Sequence, residues 1–260
     1  MELRSVLQDG PEQLRVRVLG GFEIEGIPEH RVGSRKARAV VKALTLARGR
    51  AVQADTLLEI AWGENQPAKA HKELAVLVSR LRGTLGRHRL PRKHGGYALA
   101  VDWLDVDAMA ELSEESVQRM RSGAYLEALA AALSALTLYR GPLLPEEPET
   151  AWVAAQRAAA DHLAASVRET ASRAALALGK LDLAASTARL ALDHDPYNEA
   201  ALALLMTALV RSGRPASALS EYAIFRQRLG DDLGAEPSSE TDALNTAILH
   251  RGALPEESGD

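Results

Sequence analysis

The sequence has no cysteine among its 260 residues. This excludes disulfide bonds, thiol nucleophiles and zinc sites with cysteine ligands. Aromatic residues make up only 4% of the chain. No apolar run approaches the roughly 18 residues of a membrane-spanning helix, and residues 1–11 lack the apolar stretch of a secretion signal. These absences fit a cytoplasmic protein built mainly from Ala- and Leu-rich helices.

The sequence also lacks the short motifs of common enzyme classes. It contains no P-loop, no G-x-G-x-x-G, no G-x-S-x-G and no H-E-x-x-H. The acidic pairs Glu146-Glu147 and Asp231-Asp232 lie in predicted loops, where we expect solvated charge rather than paired acid and base. We therefore expect no enzyme activity, no catalytic residue, no cofactor and no metal site.

Charge is distributed unevenly along the chain, although the net charge is only −4. Residues 14–101 contain 17 Lys and Arg against 7 Asp and Glu, a net charge of +10. Residues 102–260 contain 13 basic and 25 acidic residues, a net charge of −12. Such asymmetry suggests a module that binds a polyanion, joined to a module with another role. The alternative is a basic domain that is simply solvated.

The basic region has the pattern of two strands, three helices and a hairpin. Residues 14–18 and 22–25 alternate apolar and polar side chains, which predicts a small antiparallel sheet. Ser34 is a plausible N-cap for a helix that ends by Gly49, and a second helix ends at Gly63. A third helix is predicted from about Pro67 to Leu85, and two extended runs around Gly95-Gly96 predict the hairpin.

Three groups of side chains in this region are candidates for DNA contact. One face of the third helix is an apolar stripe, and the opposite face is polar and basic, as expected for a helix that reads base edges in the major groove. The first helix begins with three cations. Positive charge at this end of a helix is disfavoured by the helix dipole, but it would help to bind a phosphate there. The hairpin tip is also basic. The base-reading candidates are Lys69, Lys72, Val76, Ser79 and Arg80, and the phosphate-contact candidates are Arg35, Lys36, Arg38, Arg92, Lys93 and His94. The alternatives are an ordinary surface helix and a solvated helix end.

Residues 102–251 have helical patterns throughout, after a charged connector at 102–107. Gly123, Gly179 and Gly213 each precede an alanine by five residues, and the last two glycines lie 34 residues apart. That period matches the tetratricopeptide unit of two antiparallel helices. A plain helical bundle is the alternative. Residues 252–260 are expected to be disordered.

The order of these elements resembles the Streptomyces antibiotic regulatory protein (SARP) family of transcriptional activators. The resemblance rests on short segments spread over residues 14–250, in the family's order. They are Leu19-Gly20-Gly21-Phe22-Glu23-Ile24, Ser34-Arg35-Lys36-Ala37-Arg38-Ala39, Asp55 to Gly63, Val78-Ser79-Arg80-Leu81-Arg82, Gly95-Gly96-Tyr97-Ala98-Leu99, Tyr139-Arg140-Gly141-Pro142-Leu143, Arg211-Ser212-Gly213-Arg214 and Leu233-Gly234-Ala235-Glu236-Pro237.

The resemblance implies a mainly α chain with two domains between two tails. Residues 14–101 would form an OmpR-type winged helix-turn-helix with small antiparallel sheets and a wing, and residues 102–251 an all-α tetratricopeptide-like bacterial transcriptional activation domain. Residues 1–13 would be a flexible tail, and residues 252–260 the disordered one. The resemblance adds His71 to the base-reading candidates, because His71 matches a family position that points at DNA.

The resemblance also implies sequence-specific binding to direct repeats in double-stranded DNA near promoters of antibiotic gene clusters. RNA polymerase holoenzyme would be the protein partner, and the chain would act in the cytoplasm at the nucleoid. A homodimer on DNA is one arrangement that the resemblance allows. Two other readings remain open at this point. One is a helical-repeat adaptor without specific DNA binding, and the other is an output protein controlled by a ligand or phosphorylation.

Overall fold

The computed structural model describes residues 11–251, and the chain divides into two compact units. The first unit comprises residues up to Ala108 together with Arg140–Arg157, and the second comprises Met109–Tyr139 and the residues from Ala158 onward. The predicted tail at 252–260 and residues 1–10 of the predicted N-terminal tail lie outside the described residues. The carbonyls of Pro11 and Glu12, from the same predicted tail, accept hydrogen bonds from the buried Arg89.

The first unit contains six short strands and four helices, followed by the starts of two longer helices. Ser34 caps the helix that begins at Arg35 by accepting a hydrogen bond from the Ala37 N–H, as predicted. The helix that begins at Ala54 ends at Trp62, before Gly63. The elements are β1 (Arg15–Arg17), β2 (Glu23–Ile24), α1 (Glu29–Val32), α2 (Arg35–Leu46), β3 (Val52–Gln53), α3 (Ala54–Trp62), α4 (Ala70–Leu85), β4 (Arg92–Lys93), β5 (Gly96–Tyr97) and β6 (Trp103–Leu104).

The strands form two sheets of three strands, with orders β2-β1-β6 and β3-β5-β4. Together with α2, α3 and α4 they make the predicted winged helix-turn-helix. β1 pairs in antiparallel with β2, as predicted, and β6 extends this sheet by pairing in parallel with β1, which places Val16 opposite Leu104. The sequence pattern missed β3 and β6, which are too short to show an alternation of apolar and polar side chains.

Asp105 follows β6 directly and is fully buried. Its carboxylate accepts the N–H groups of Val18 at 2.9 Å, Leu19 at 3.0 Å and Val106 at 2.9 Å. Burial raises the pKa of Asp105, while these three donors act in the opposite direction. The charged connector predicted at 102–107 is therefore wrong at this position, since Asp105 ties the end of β1 to the start of the next helix.

Residues 140–157 pack within the first unit, although the sequence pattern placed them with the acidic region. Gly20 N–H donates to the Pro142 carbonyl at 2.9 Å, and Leu143 and Leu144 are buried. The amine of Lys42, only 4% exposed, lies 2.8 Å from a Glu146 oxygen and 2.5 Å from a Glu147 oxygen. Burial alone would raise the pKa of Glu146, but Lys42 holds it below the ordinary value. The prediction of solvated charge at this acidic pair is therefore wrong for Glu147, which is partly buried against Lys42.

The remaining helices are α5 (Asp105–Arg121), α6 (Tyr125–Leu138), α7 (Ala151–Ala177), α8 (Leu181–His194), α9 (Glu199–Arg211), α10 (Pro215–Leu233) and α11 (Ser239–Arg251). In the second unit, α9 packs against both α8 and α10 around a core that includes Leu202, Met206 and Phe225. Within residues 11–251, no helix has the length and apolar character needed to cross a membrane.

The turns of the second unit confirm the tetratricopeptide-like repeat. Gly123, Gly179 and Gly213 each have a φ between 69° and 75°, in the left-handed region. At each glycine the next residue donates its N–H to the carbonyl five residues earlier, and the glycine donates to the carbonyl three residues earlier. This is the Schellman ending of a helix, for which glycine is preferred. The same turn therefore closes α5, α7 and α9 before α6, α8 and α10.

Candidate nucleic-acid interface

Helix α4 buries one face and exposes the other. Leu74, Val78, Leu81 and Leu85 are buried against the first unit, and Leu77 is half-buried. Because side chains three and four residues apart share a face of a helix, the other side of α4 is left open. The predicted Lys72, Val76, Ser79 and Arg80 are exposed there, and so is the acidic Glu73. Val76 is 42% exposed despite its apolar side chain.

The start of α4 differs from the sequence prediction. The helix begins at Ala70 rather than near Pro67, because Lys69 has φ −119° and ψ 45°, outside the helical region. Lys69 is therefore the exposed N-cap, and its carbonyl accepts the N–H groups of Lys72 and Glu73. His71 is exposed on the flank, and its Nε2 lies 3.1 Å from an Asp55 oxygen.

The three cations at the start of α2 have different surroundings. Arg35 is exposed. The amine of Lys36 lies 4.8 Å from the centre of the Trp62 ring, which is a cation–π distance. Arg38 donates to the Gly33 carbonyl at 2.8 Å and lies 3.1 Å from a Glu29 oxygen. Arg38 is thus held by its own unit, whereas Arg35 and Lys36 have no carboxylate partner in the part of the chain that the structure describes.

The wing is the hairpin formed by β4 and β5, with Arg92 and Lys93 exposed on its first strand. Its two-residue turn is His94-Gly95, with φ of 49° and 82°. Two positive φ values identify a type I′ turn, which suits the twist of a hairpin. The turn lies one residue earlier than the predicted Gly95-Gly96, because Gly96 belongs to β5. A Cβ at Gly96 would lie 2.0 Å from the Val52 carbonyl oxygen.

These elements bring together a set of cations without counterions. On α2, on α4 with its cap and on the wing, seven exposed cations have no carboxylate within 4.0 Å among residues 11–251. They are Arg35, Lys36, Lys69, Lys72, Arg80, Arg92 and Lys93. Exposed cations elsewhere in the described residues, such as Arg50, Arg87 and Lys180, also have no carboxylate partner, so these seven are distinguished by their grouping on the elements predicted to contact DNA.

A concavity of about 380 Å³ lies beside the exposed face of α4. It is lined by Lys36 and Trp62 on one side and by Val76 and Arg80 on the other. Arg31 of α1 lines it too, and this exposed cation was missed because α1 has only four residues and no apolar period. Among the described residues, no group of three or more His, Asp or Glu side chains is arranged to hold a metal ion.

The sequence profile of the bacterial transcriptional activator domain matches residues 104–249, more than half of the chain. The regulatory protein DnrI of Streptomyces peucetius is 31% identical over 234 residues, which cover 83% of this chain and 84% of DnrI. The chain belongs to the SARP family of transcriptional regulators. The resemblance in the sequence motifs is thereby confirmed, as is the mainly α fold with a winged helix and a tetratricopeptide-like region.

Two further relatives of this SARP-family chain are longer than it is. The regulatory protein AfsR of Streptomyces griseus is 32% identical over 219 residues, and this chain spans only 22% of AfsR. A solved structure of Mycobacterium tuberculosis EmbR in complex with a low-affinity phosphopeptide superposes with a TM-score of 0.83 at 27% identity. It covers 94% of this chain and 66% of the EmbR chain. AfsR is named a regulatory protein and EmbR a transcriptional regulatory protein.

Proposed function

We propose that this chain is a sequence-specific DNA-binding activator of transcription. It would bind direct repeats near promoters of an antibiotic biosynthetic gene cluster and recruit RNA polymerase holoenzyme, acting at the nucleoid in the cytoplasm. The observation that supports this most is the set of seven exposed cations without counterions on α2, α4 and the wing. Their grouping around one exposed helix face carries the argument, because unpaired exposed cations such as Arg50 and Lys180 also occur elsewhere in the described chain.

The placement of the cations suggests separate roles. The candidates for contact with base edges lie on or beside the exposed face of α4. They are Lys69, Lys72, Val76, Ser79 and Arg80, with His71 on the flank. Arg or Lys reads guanine, and the methyl groups of Val76 suit thymine. Arg35, Lys36, Arg92, Lys93 and His94 lie on flanking elements and would hold phosphates. Arg38 remains a candidate, although contact with phosphate would compete with Glu29.

Substitutions are expected to separate base contacts from phosphate contacts. Arg80→Ala or Lys72→Ala should cost about 1–3 kcal/mol of binding free energy on the cognate site, and less on unrelated DNA. Arg35→Ala or Arg92→Ala should weaken binding to all sequences alike. Each should also reduce the slope of log K against log salt concentration by about one, because one fewer counterion is released. Fluorescence anisotropy of a labelled promoter duplex at several salt concentrations measures both quantities.

The matched control is Lys180→Ala, which removes one exposed cation from the second unit. It should leave both the affinity and the salt slope unchanged. Transcription from the same promoter by purified RNA polymerase holoenzyme should fall in step with promoter occupancy in the Arg80 variant. If the full chain binds no duplex at any salt concentration, or if only Lys180→Ala weakens binding, the proposal is wrong and the adaptor interpretation is favoured.

A further inference from the structure

A cavity of about 710 Å³, open to solvent, lies in the first unit next to the start of α2. Two indole rings, Trp62 and Trp152, line it together with Ile60 and Pro148, and the cations Arg35 and Lys36 stand at its edge. The carboxylates of Glu59 and Glu147 and the hydroxyls of Thr56 and Thr150 also line it. Glu147 is paired with Lys42, which also pairs with Glu146, and Glu59 is exposed.

The size and the lining of the cavity suit a small organic molecule. Pockets for such ligands usually have volumes of about 300–1,000 Å³, with mostly apolar walls and a few converging polar groups. Indole rings favour flat aromatic partners, which stack on their faces. Arg35 has no carboxylate partner among residues 11–251, and its planar guanidinium suits a carboxylate or sulfonate.

The same cavity is connected to the proposed DNA interface through shared side chains. Lys36 and Trp62 line this cavity and also the smaller concavity beside the exposed face of α4. Arg35 and Lys36 are candidates for phosphate contact. A negative group held in the cavity would therefore neutralise charges that the DNA backbone requires.

We propose that the cavity binds a flat aromatic anion, a compound with fused rings and one carboxylate or sulfonate. The rings occupy the space between Trp62 and Trp152, and the acid group pairs with Arg35 and Lys36. Bound ligand then competes with DNA phosphate for these two cations. The competition rests on the proposed function, whereas the binding of the anion does not.

The test uses the full chain and 8-anilino-1-naphthalenesulfonate, a fluorescent aromatic sulfonate, in the absence of DNA. The probe should bind saturably, with one site per chain. Trp152→Ala removes a stacking surface and should weaken binding about tenfold. Arg35→Gln should weaken it severalfold, and because Arg35 is exposed this variant keeps the fold intact. Arg50→Gln, an exposed arginine outside the lining, is the matched control and should bind as the wild type does.

Binding that neither Trp152→Ala nor Arg35→Gln weakens would overturn the assignment of the cavity. In a second arm, saturating probe should raise the Kd for a promoter duplex several-fold in the wild type but not in Arg35→Gln. An unchanged Kd in the wild type would overturn the competition. If the probe binds as expected while the wild type binds no duplex, the proposed function fails and the ligand site stands.

Discussion

Asp105→Ala is expected to lower the free energy of unfolding of the first unit by about 3–5 kcal/mol. The variant leaves the N–H groups of Val18, Leu19 and Val106 without their acceptor. Val18 and Leu19 are fully buried, and an unpaired buried donor costs about 1–3 kcal/mol. The loss also disconnects β1 from the helix that follows β6, so we expect the parallel pairing of those strands to weaken.

Urea denaturation followed by tryptophan fluorescence measures this effect well, because Trp62, Trp103 and Trp152 all belong to the first unit. Asp105→Asn retains one acceptor oxygen and should recover part of the loss. The matched control is Asp107→Ala, two residues away. Asp107 is paired with Arg48 at a solvent-accessible position, so its removal should cost about 1 kcal/mol or less. Equal stability losses for Asp105→Ala and Asp107→Ala would contradict the role assigned to Asp105.

Gly96→Ala should destabilise the first unit by about 3 kcal/mol and displace the wing. The new Cβ would lie 2.0 Å from the Val52 carbonyl oxygen and 2.9 Å from the Gln53 Cα. These are backbone atoms of the neighbouring strand, so no side-chain rotation relieves the clash, and β5 must move away from β3. Affinity for DNA should fall with stability, because Arg92 and Lys93 are paired to the displaced strand.

The matched control for this change is Gly83→Ala in α4. Apart from neighbouring atoms of α4 itself, no atom lies within 4 Å of the Cβ that alanine would add there, and glycine inside a helix costs about 0.5–1 kcal/mol relative to alanine. The same chemical change should therefore stabilise the protein at residue 83 and destabilise it at residue 96. A destabilised Gly83→Ala together with a neutral Gly96→Ala would contradict the strand geometry of the wing.

Features that depend on neighbouring residues were predictable from the sequence. The Ser34 cap, the apolar stripe of α4 and the glycine turns at 123, 179 and 213 each follow from a few residues and from helix geometry. The repeat was visible for the same reason, because each turn needs a glycine with positive φ at a fixed place.

Features that depend on distant partners were not predictable in this way. Lys42 lies in the middle of α2, and its carboxylate partners come 104 and 105 residues later. The turn of the wing lies one residue earlier than predicted because Gly96 belongs to β5, where its backbone lies close to Val52 of β3. Asp105 has the sequence context of a solvated connector, and only the buried end of β1 gives it a structural role. For the candidate site, the sequence identified the charges but not which of them are engaged within the protein, as Arg38 is.

The contacts of residues 140–157 affect how DNA binding should be examined. A fragment ending at residue 101 would lack β6, Asp105 and the partners of Lys42, all of which belong to the first unit. Loss of DNA binding by such a fragment would therefore report on its folding. Experiments on the full chain avoid this ambiguity.

Hydrogen–deuterium exchange of the full chain, with and without a promoter duplex, tests the central claim most directly. DNA should slow amide exchange in peptides covering residues 34–38, 69–80 and 92–96, because α2, α4 and the wing are expected to face the duplex. Peptides covering residues 181–229 in the second unit should exchange at the same rate with and without DNA. Slower exchange confined to the second unit, or tight DNA binding with no change in α4 and the wing, would contradict the account.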